Sequence, residues 1–226
     1  VVRTGGPNAG HSITIRRGVD QSSAVATRYP MRQIPCAWHL PGVKLIIGVG
    51  SLINLDVLRD EVALIDRENP AHGPVLIDEQ AVVMGPDAGE QEDRLKMNAF
   101  NGSTSEGIGY TRSMYMLRKS LIAKQCIGLN SDRMHGVQVV DTVQILNDII
   151  NDYPKGGPVI IESTQGFGLS LSLSQHYPMT TSRDLTPMQI LNDVGLSWKG
   201  AVILNPSTNQ GVYTIAVCRT FPIRVA

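Results

Sequence analysis

Four short segments carry residue types that suit ligand binding rather than packing. The first, residues 5–12 (GGPNAGHS), holds three glycines, the amide of Asn8 and the imidazole of His11. Each glycine costs about 0.5–1 kcal/mol relative to alanine inside a helix or strand, so this density predicts a loop that turns tightly or lets a ligand approach. Asn8 offers hydrogen-bond donors and an acceptor, and His11 can exchange a proton near neutral pH. An isolated histidine is nevertheless more often structural or exposed than catalytic.

The second segment, residues 101–109 (NGSTSEGIG), offers accessible backbone N–H groups ahead of a helix, an arrangement typical of phosphate binding. No Gly-Lys-Ser/Thr follows, so it is not a Walker A loop, and an ordinary loop before a capped helix is the alternative. In residues 162–168 (ESTQGFG), Gln165 can read the edge of a base, and a solvated turn at a strand end is the alternative. In residues 177–184 (YPMTTSRD), the hydroxyls and Arg183 suit a phosphate oxyanion, and a cluster of helix-capping side chains is the alternative.

Other polar residues predict little chemistry. No zinc-type spacing such as HExxH links the remaining histidines His39, His72, His135 and His176. We expect a solvated helix face from the acidic residues Asp87, Glu90, Glu92 and Asp93. The cysteines lack CxxC spacing and are interpreted as core fillers of a reduced cytosolic protein: Cys36, Cys126 and Cys218.

Alternating strands and helices must position these segments. Apolar runs predict strands at Lys44–Gly50, Val75–Ile77, Ala81–Met84, Pro158–Glu162 and Tyr213–Arg219. Periodic apolar spacing predicts helices at Leu52–Arg67, Glu90–Met97, Ser113–Lys124, Asp141–Asn151 and Thr186–Val194. This order indicates an α/β fold with a mainly parallel central sheet flanked by helices, in which ligands bind at the carboxyl ends of strands.

The net charge and the length of the apolar runs indicate which classes of binding partner the composition favours. Twenty basic and twenty acidic side chains give a net charge of zero over 226 residues, so charge favours neither a nucleic-acid nor a membrane partner. No apolar run approaches the ~18 residues of a membrane span. Val1–Arg3 is interpreted as the end of a strand already in progress, and the chain stops after Ala226 without a helix stop signal. We therefore expect a fragment of a cytoplasmic protein.

Taken together, the four segments resemble the adenylosuccinate synthetase family, which joins aspartate to inosine monophosphate (IMP) using GTP. Residues 5–12 resemble the family's GGxNAGHT loop, and residues 101–109 with a helix ending in Arg118 resemble GTTGxGIGP…R. Residues 162–182 (ESTQGFGLSLSLSQHYPMTTS) resemble EGxQGxxLD…YPxVTSS, and residues 218–226 (CRTFPIRVA) resemble the strand and loop ending in TRVG. The loop details are similar to a divergent branch of phages, bacteria and archaea, which includes the phage 2-aminoadenylosuccinate synthetases that use dGMP.

The resemblance implies a P-loop-NTPase-like fold and a role for each matching residue. The family moves the γ-phosphate of GTP to O6 of the nucleotide, and aspartate then displaces it at C6. His11 matches the histidine that stabilises the oxygen and the developing phosphoryl charge, in effect a general acid. Gly10 matches the glycine whose carbonyl contacts Mg²⁺. Asn8 and Thr104 match residues that hold the substrate nucleotide.

Four further matches concern the nucleotide. Arg118 matches the arginine that reaches the nucleotide phosphate of a neighbouring subunit, which implies a homodimer. Gln165 and Thr181 match nucleotide contacts, and Val225 matches a backbone contact near the ribose. The family's leading loop, with its catalytic aspartate and phosphate-binding lysine, does not occur here, nor do its aspartate-binding and guanine-reading parts. We expect residues 1–226 to be a single α/β catalytic-domain fragment without turnover of its own.

Departures from the family pattern keep other functions open. Glu106, Tyr110 and Ser163 stand where many members have a basic residue, proline and glycine. The main hypothesis is GTP-dependent ligation of L-aspartate to IMP in purine biosynthesis. One alternative is the phage ligation of aspartate to dGMP with ATP, and another is a nucleotide-binding module without catalysis.

Overall fold

Five parallel strands form the central sheet. The computed structural model describes residues 1–18, 25–126, 134, 136–152, 154–196 and 212–217. In spatial order the strands are β10, β1, β4, β6 and β9, and every neighbouring pair is parallel. Their bounds are β1 Val2–Arg3, β4 Leu45–Ile47, β6 Val75–Asp78, β9 Val137–Val140 and β10 Ile161–Glu162. The predicted α/β fold with a mainly parallel central sheet is confirmed.

Both faces of this sheet are covered because its strands are apolar on both sides. In β4, Leu45 and Ile47 belong to one buried cluster together with Leu58 of the first helix. The residue between them, Ile46, points to the opposite cluster, which contains Leu146. Successive side chains of a strand point to opposite faces, so the continuous apolar run of β4 suits a sheet between two helical layers.

Side chains cap the N-termini of some of the helices. α1 Leu55–Glu68 follows Asn54, whose side-chain oxygen accepts hydrogen bonds from the N–H groups of Asp56 (3.0 Å) and Val57 (3.1 Å). α6 follows Thr186, which accepts a hydrogen bond from the N–H of Gln189 (3.1 Å), as the sequence predicts. The other helices are α2 Ala88–Arg94, α3 Met97–Asn101, α4 Ile108–Met116, α5 Thr142–Asn151 and α6 Pro187–Asn192.

Two small sheets complete the described part. The antiparallel pair β2 His11–Arg17 and β3 Val25–Met31 was not among the predicted elements. In the other sheet, β5 Leu52–Ile53 runs parallel to β7 Val82–Val83, which pairs antiparallel with β8 Leu121–Ile122. No described helix combines the length and apolar character needed to cross a membrane.

Three predicted elements are corrected. The helix predicted at Leu52–Arg67 begins only at Leu55, because Leu52 and Ile53 pair with β7. The helix predicted at Ser113–Lys124 occupies Ile108–Met116, since the chain turns at Arg118 (φ 60°) and then enters β8. The strand predicted at Tyr213–Arg219 is wrong for residues 213–217, which carry no regular structure, and the other two residues lie outside the described part. Ile215 and Val217 are 86% and 93% exposed there, and no strand in the described ranges pairs with this segment, so its apolar character alone does not make it a strand.

Candidate functional site

The carboxyl edge of the central sheet brings the predicted loops together. Arg3 ends β1 and lies beside Glu162, which ends the neighbouring strand β10. The loop that carries Asn8 and His11 follows β1, and the loop that carries Gln165 follows β10. The sheet therefore places the first and third segments at the edge where ligands of parallel α/β sheets bind.

Close backbone approach fixes the first loop against its neighbours. Gly5 has a φ of +118°, and a Cβ atom on it would lie 2.4 Å from Oγ1 of Thr164. A Cβ on Gly6 would lie 2.6 Å from the side chain of Ile108, the first residue of α4. Glycine is needed at position 5 because of this φ, while at position 6 the close atom is the end of the Ile108 side chain; both contacts show that the first loop packs directly on the segments that contain Gln165 and Thr104.

Arg32 connects the first and second segments by contacting one residue of each. Its guanidinium donates to the carbonyl of Pro7 and forms an ion pair with Glu106. Glu106 stands where many family members have a basic residue, and here it supplies the partner for Arg32. Thr104 is exposed on the same loop, and Asn8 is half-buried on the facing one.

Backbone N–H groups of the second segment donate hydrogen bonds to a buried carboxylate of the same chain. Glu92 is 1% exposed and accepts hydrogen bonds from the N–H groups of Gly107 (3.1 Å), Gly109 (2.6 Å) and Tyr110 (3.2 Å). Its Oε2 also accepts the hydroxyl of Ser103 at 2.7 Å. The prediction of a solvated face is thus wrong for Glu92, because this carboxylate occupies the N-terminus of α4 in the manner of an anion. Several of the donors that suggested a phosphate site, among them the N–H groups of Gly107 and Gly109, are therefore already satisfied.

Arg183, in the fourth segment, is also used internally. It is 8% exposed, forms an ion pair with Asp193 and donates to Thr4 Oγ1 (3.3 Å) and Thr164 Oγ1 (3.2 Å). These contacts use Arg183 internally instead of for phosphate binding, and they do not make it part of the helix-capping cluster that was the alternative. Its role is to join the fourth segment, including Thr181, to the first and third. The N–H of Thr181 donates to the carbonyl of Leu169 at 2.8 Å, while Gln165 is exposed with a φ of 72°.

His11 stands between two groups that sequence reasoning did not assign. Its Nε2 lies 3.1 Å from the carbonyl oxygen of Ile34 and 3.9 Å from Oε2 of Glu162. A carbonyl only accepts, so Nε2 carries the proton, and Nδ1 is buried without a hydrogen-bond partner among the described residues. Burial, reinforced by the positive charge of Arg3, lowers the pKa of His11 to about 4, so the imidazole is neutral near pH 7.

Cys36 lies beside His11 and Glu162. Both carboxylate oxygens of Glu162 accept the N–H of Cys36, at 3.2 and 3.1 Å. Burial and the charge of Glu162 raise the pKa of the Cys36 thiol to about 12. Cys36 is half-buried at the site rather than in the core, whereas Cys126 packs in the core as predicted and Cys218 lies outside the described residues.

A second buried carboxylate, Glu61, shapes the turn that faces His11. It accepts the N–H groups of Arg32, Gln33 (3.0 Å) and Ile34 (2.8 Å), which follow β3. Burial raises the pKa of Glu61, and these backbone donors oppose the rise. No local pattern marks Glu61, because it lies on α1 and meets the turn only after folding.

One predicted site residue, Arg118, lies apart from this group, and another, Val225, is not among the described residues. Arg118 is exposed beyond the end of α4, and the nine residues of that helix separate it from the loop region by about 13 Å at 1.5 Å per residue. Arg118 lines a surface groove with Tyr115, Met116 and Gln125. Gly10 is exposed next to His11.

Comparisons with known proteins agree with the motif analysis. Residues 1–134 match the family described as adenylosuccinate synthetase. The adenylosuccinate synthetases of Pyrococcus horikoshii and Thermococcus onnurineus are 30% and 31% identical over 222 residues, which cover 97% of this chain and 56% of each relative. The chain thus spans about half the length of the curated relatives it matches.

Solved structures share the fold. A cyanophage S-2L succinoaminodeoxyadenylate synthetase bound to dGMP and dATP superposes with a TM-score of 0.67 at 23% identity, over 88% of this chain and 53% of that one. The fully ligated adenylosuccinate synthetase of Plasmodium falciparum superposes with a TM-score of 0.71 at 16% identity, with the same coverage of 88% and 53%. From its sequence and its fold, this chain belongs to the adenylosuccinate synthetase family.

Proposed function

We propose that the whole protein joins L-aspartate to IMP at the expense of GTP, through a 6-phosphoryl intermediate, in purine biosynthesis. The observation that carries this proposal is the 30% identity to archaeal adenylosuccinate synthetases across 97% of the chain. In this proposal residues 1–226 are one α/β catalytic-domain fragment that supplies a wall of the nucleotide site. The leading phosphate loop and the aspartate-binding part belong to the rest of a cytoplasmic homodimer.

His11 is the proposed catalytic residue. Its Nε2–H, which donates to the Ile34 carbonyl in the free site, turns to the O6 oxygen of the bound nucleotide. A neutral imidazole with its proton on Nε2 stabilises the oxygen by donating a hydrogen bond as negative charge develops, and loss of one such donor costs about 10²–10³-fold in kcat. Oε2 of Glu162 lies 3.9 Å from the same nitrogen, so its negative charge would stabilise positive charge on the ring.

The remaining proposed contacts come from the loops that pack around His11. Asn8 has a buried side-chain oxygen without a hydrogen-bond donor among the described residues, so a donor of the nucleotide can bind it. Thr104 and Gln165 are exposed on the neighbouring loops, and Thr181 lies two residues before Arg183, which donates to Thr164 next to Gln165. We assign these residues to the substrate nucleotide. Val225, expected near the ribose, and Arg118, expected to reach the nucleotide of a second subunit, complete the set.

The residues present fit a magnesium ion. Gly10 offers a carbonyl oxygen, the hard ligand type that Mg²⁺ prefers, and it is exposed at the loop that faces the nucleotide. A Cβ atom at Gly10 would meet only the Met31 carbonyl, at 3.7 Å, so the position has open space around it. Mg²⁺ commonly keeps several waters and binds one or two protein oxygens with substrate phosphates. When bound, the ion neutralises charge on the transferred phosphoryl group.

One observation favours a second candidate. The cyanophage structure that shares this fold is bound to dGMP, with dATP as energy donor. The alternative function is therefore ligation of aspartate to dGMP with ATP. Both reactions use an oxygen at purine C6, so His11 would keep the same role in each.

Turnover by the full-length protein discriminates between the two. We expect IMP, GTP, L-aspartate and Mg²⁺ to yield adenylosuccinate, followed by the change in ultraviolet absorbance. Product only from dGMP, ATP and aspartate would replace the first function by the second. No product from either set would refute both.

A further inference from the structure

Folding brings together a nitrogen, a sulfur and an oxygen ligand that no sequence motif predicts. His11 begins β2, Cys36 lies just after β3, and Glu162 ends β10. One imidazole nitrogen, the Cys36 sulfur and one Glu162 oxygen all lie within 4.8 Å of one another. From this juxtaposition we propose that His11, Cys36 and Glu162 form a zinc-binding site at the mouth of the nucleotide pocket.

The donor types select the metal. Thiolate and imidazole are ligands of zinc and similar transition metals, whereas Mg²⁺ requires oxygen donors in near-octahedral geometry. Three protein ligands with an open fourth position are the usual arrangement where zinc retains a water molecule or binds a substrate group. This site is therefore chemically distinct from the magnesium contact proposed at Gly10.

The spacing is close to what zinc needs. Bond lengths of about 2.0–2.3 Å to nitrogen, oxygen and sulfur put tetrahedral ligands about 3.5 Å apart. The three ligand atoms lie within 4.8 Å of one another, so each pair needs to close by up to about 1.3 Å, a movement that side-chain rotation supplies. His11 and Glu162 are 19% and 25% exposed at their side chains, so the site is walled by protein but reachable from solvent.

The charges around the site are of both signs. Arg3 is buried next to the site and is coupled electrostatically to Glu162, Glu61 and Cys36. With the thiol deprotonated by the metal, two carboxylates and one thiolate face Arg3 and the zinc ion, so the charges balance.

Zinc and catalysis would exclude each other here. This consequence rests on the proposed function, because zinc bound at Nε2, the nitrogen 3.9 Å from Glu162, replaces the proton that His11 would present to O6 of the nucleotide. We expect zinc to inhibit the full-length enzyme in the presence of saturating Mg²⁺, and Cys36→Ser to relieve that inhibition. Equal inhibition of both proteins would overturn this consequence.

The site itself is tested by binding, independently of activity. Equilibrium dialysis of the full-length protein should find a zinc ion whose affinity falls at least about tenfold in Cys36→Ser and in Glu162→Gln, since even outer-shell changes cost 10–100-fold. The matched control is Cys126→Ala, which removes a core cysteine and should leave the affinity unchanged. Cobalt(II) added to the unaltered protein should produce thiolate-to-metal charge-transfer absorption. Zinc affinity equal in all variants, or no such absorption, would overturn the proposal.

Discussion

Replacing Glu92 by glutamine tests whether an internal carboxylate organises the loop that carries Thr104. In the folded protein each oxygen of Glu92 accepts two hydrogen bonds, and the Oε2 pair is Ser103 Oγ and the buried N–H of Gly107. An amide nitrogen in place of Oε2 lets Ser103 turn and accept, but Gly107 loses its acceptor. One buried N–H without a partner costs about 1–3 kcal/mol.

Hydrogen exchange at the amides of the loop measures this cost. A loss of about 2 kcal/mol should speed exchange at Gly107 by roughly 30-fold, because each 1.4 kcal/mol is a factor of ten. The control is Glu90→Gln on the same helix, whose side chain is 72% exposed in its pair with Arg94 and should change stability by less than about 0.5 kcal/mol. Unchanged exchange in Glu92→Gln, or an equal effect in the control, would refute the reasoning.

Three further predictions follow from contacts around the site. Gly5→Ala should destabilise the protein by about 1–3 kcal/mol in urea unfolding, since its Cβ would lie 2.4 Å from Thr164 Oγ1 at a φ of +118°, whereas Gly168→Ala, with nothing within 4 Å, should be nearly neutral. Asp193→Asn should cost about 3–5 kcal/mol because Arg183 would remain buried without a carboxylate, and a cost below that of the exposed Asp56→Asn would contradict this. Alkylation of Cys36, followed by mass spectrometry, should quicken about tenfold per pH unit up to its pKa of about 12, and a plateau near pH 9 would show an ordinary thiol instead.

Local patterns were sufficient for the centre of the fold. The apolar runs that became β4 and β6 sit between two layers, so every residue of these strands is buried and the signal is undiluted. Residues 5–12 were predicted to turn tightly because of their glycines, and Gly5 and Gly6 do approach the neighbouring segments closely. The roles of residues that depend on a single backbone segment could thus be predicted from the sequence.

Residues whose contacts are distant in sequence could not be assigned a role from the sequence. Cys36 and Glu162 meet across 126 positions, and no spacing rule spans that distance. Glu92 looked like one charge in a solvated run, because its donors belong to a loop that reaches it only after folding. The prediction of a strand at residues 213–217 was wrong for the opposite reason. The apolar character of this segment is a local feature, whereas a strand forms only when it can pair with a neighbouring strand.

The most direct test of the account is a crystal structure of the full-length protein with IMP bound. We expect the purine ring between the loops of residues 5–12 and 162–168, with O6 within hydrogen-bonding distance of the His11 imidazole and the phosphate near Asn8 and Thr104. IMP bound away from these loops, or with O6 turned away from His11, would contradict the proposed site.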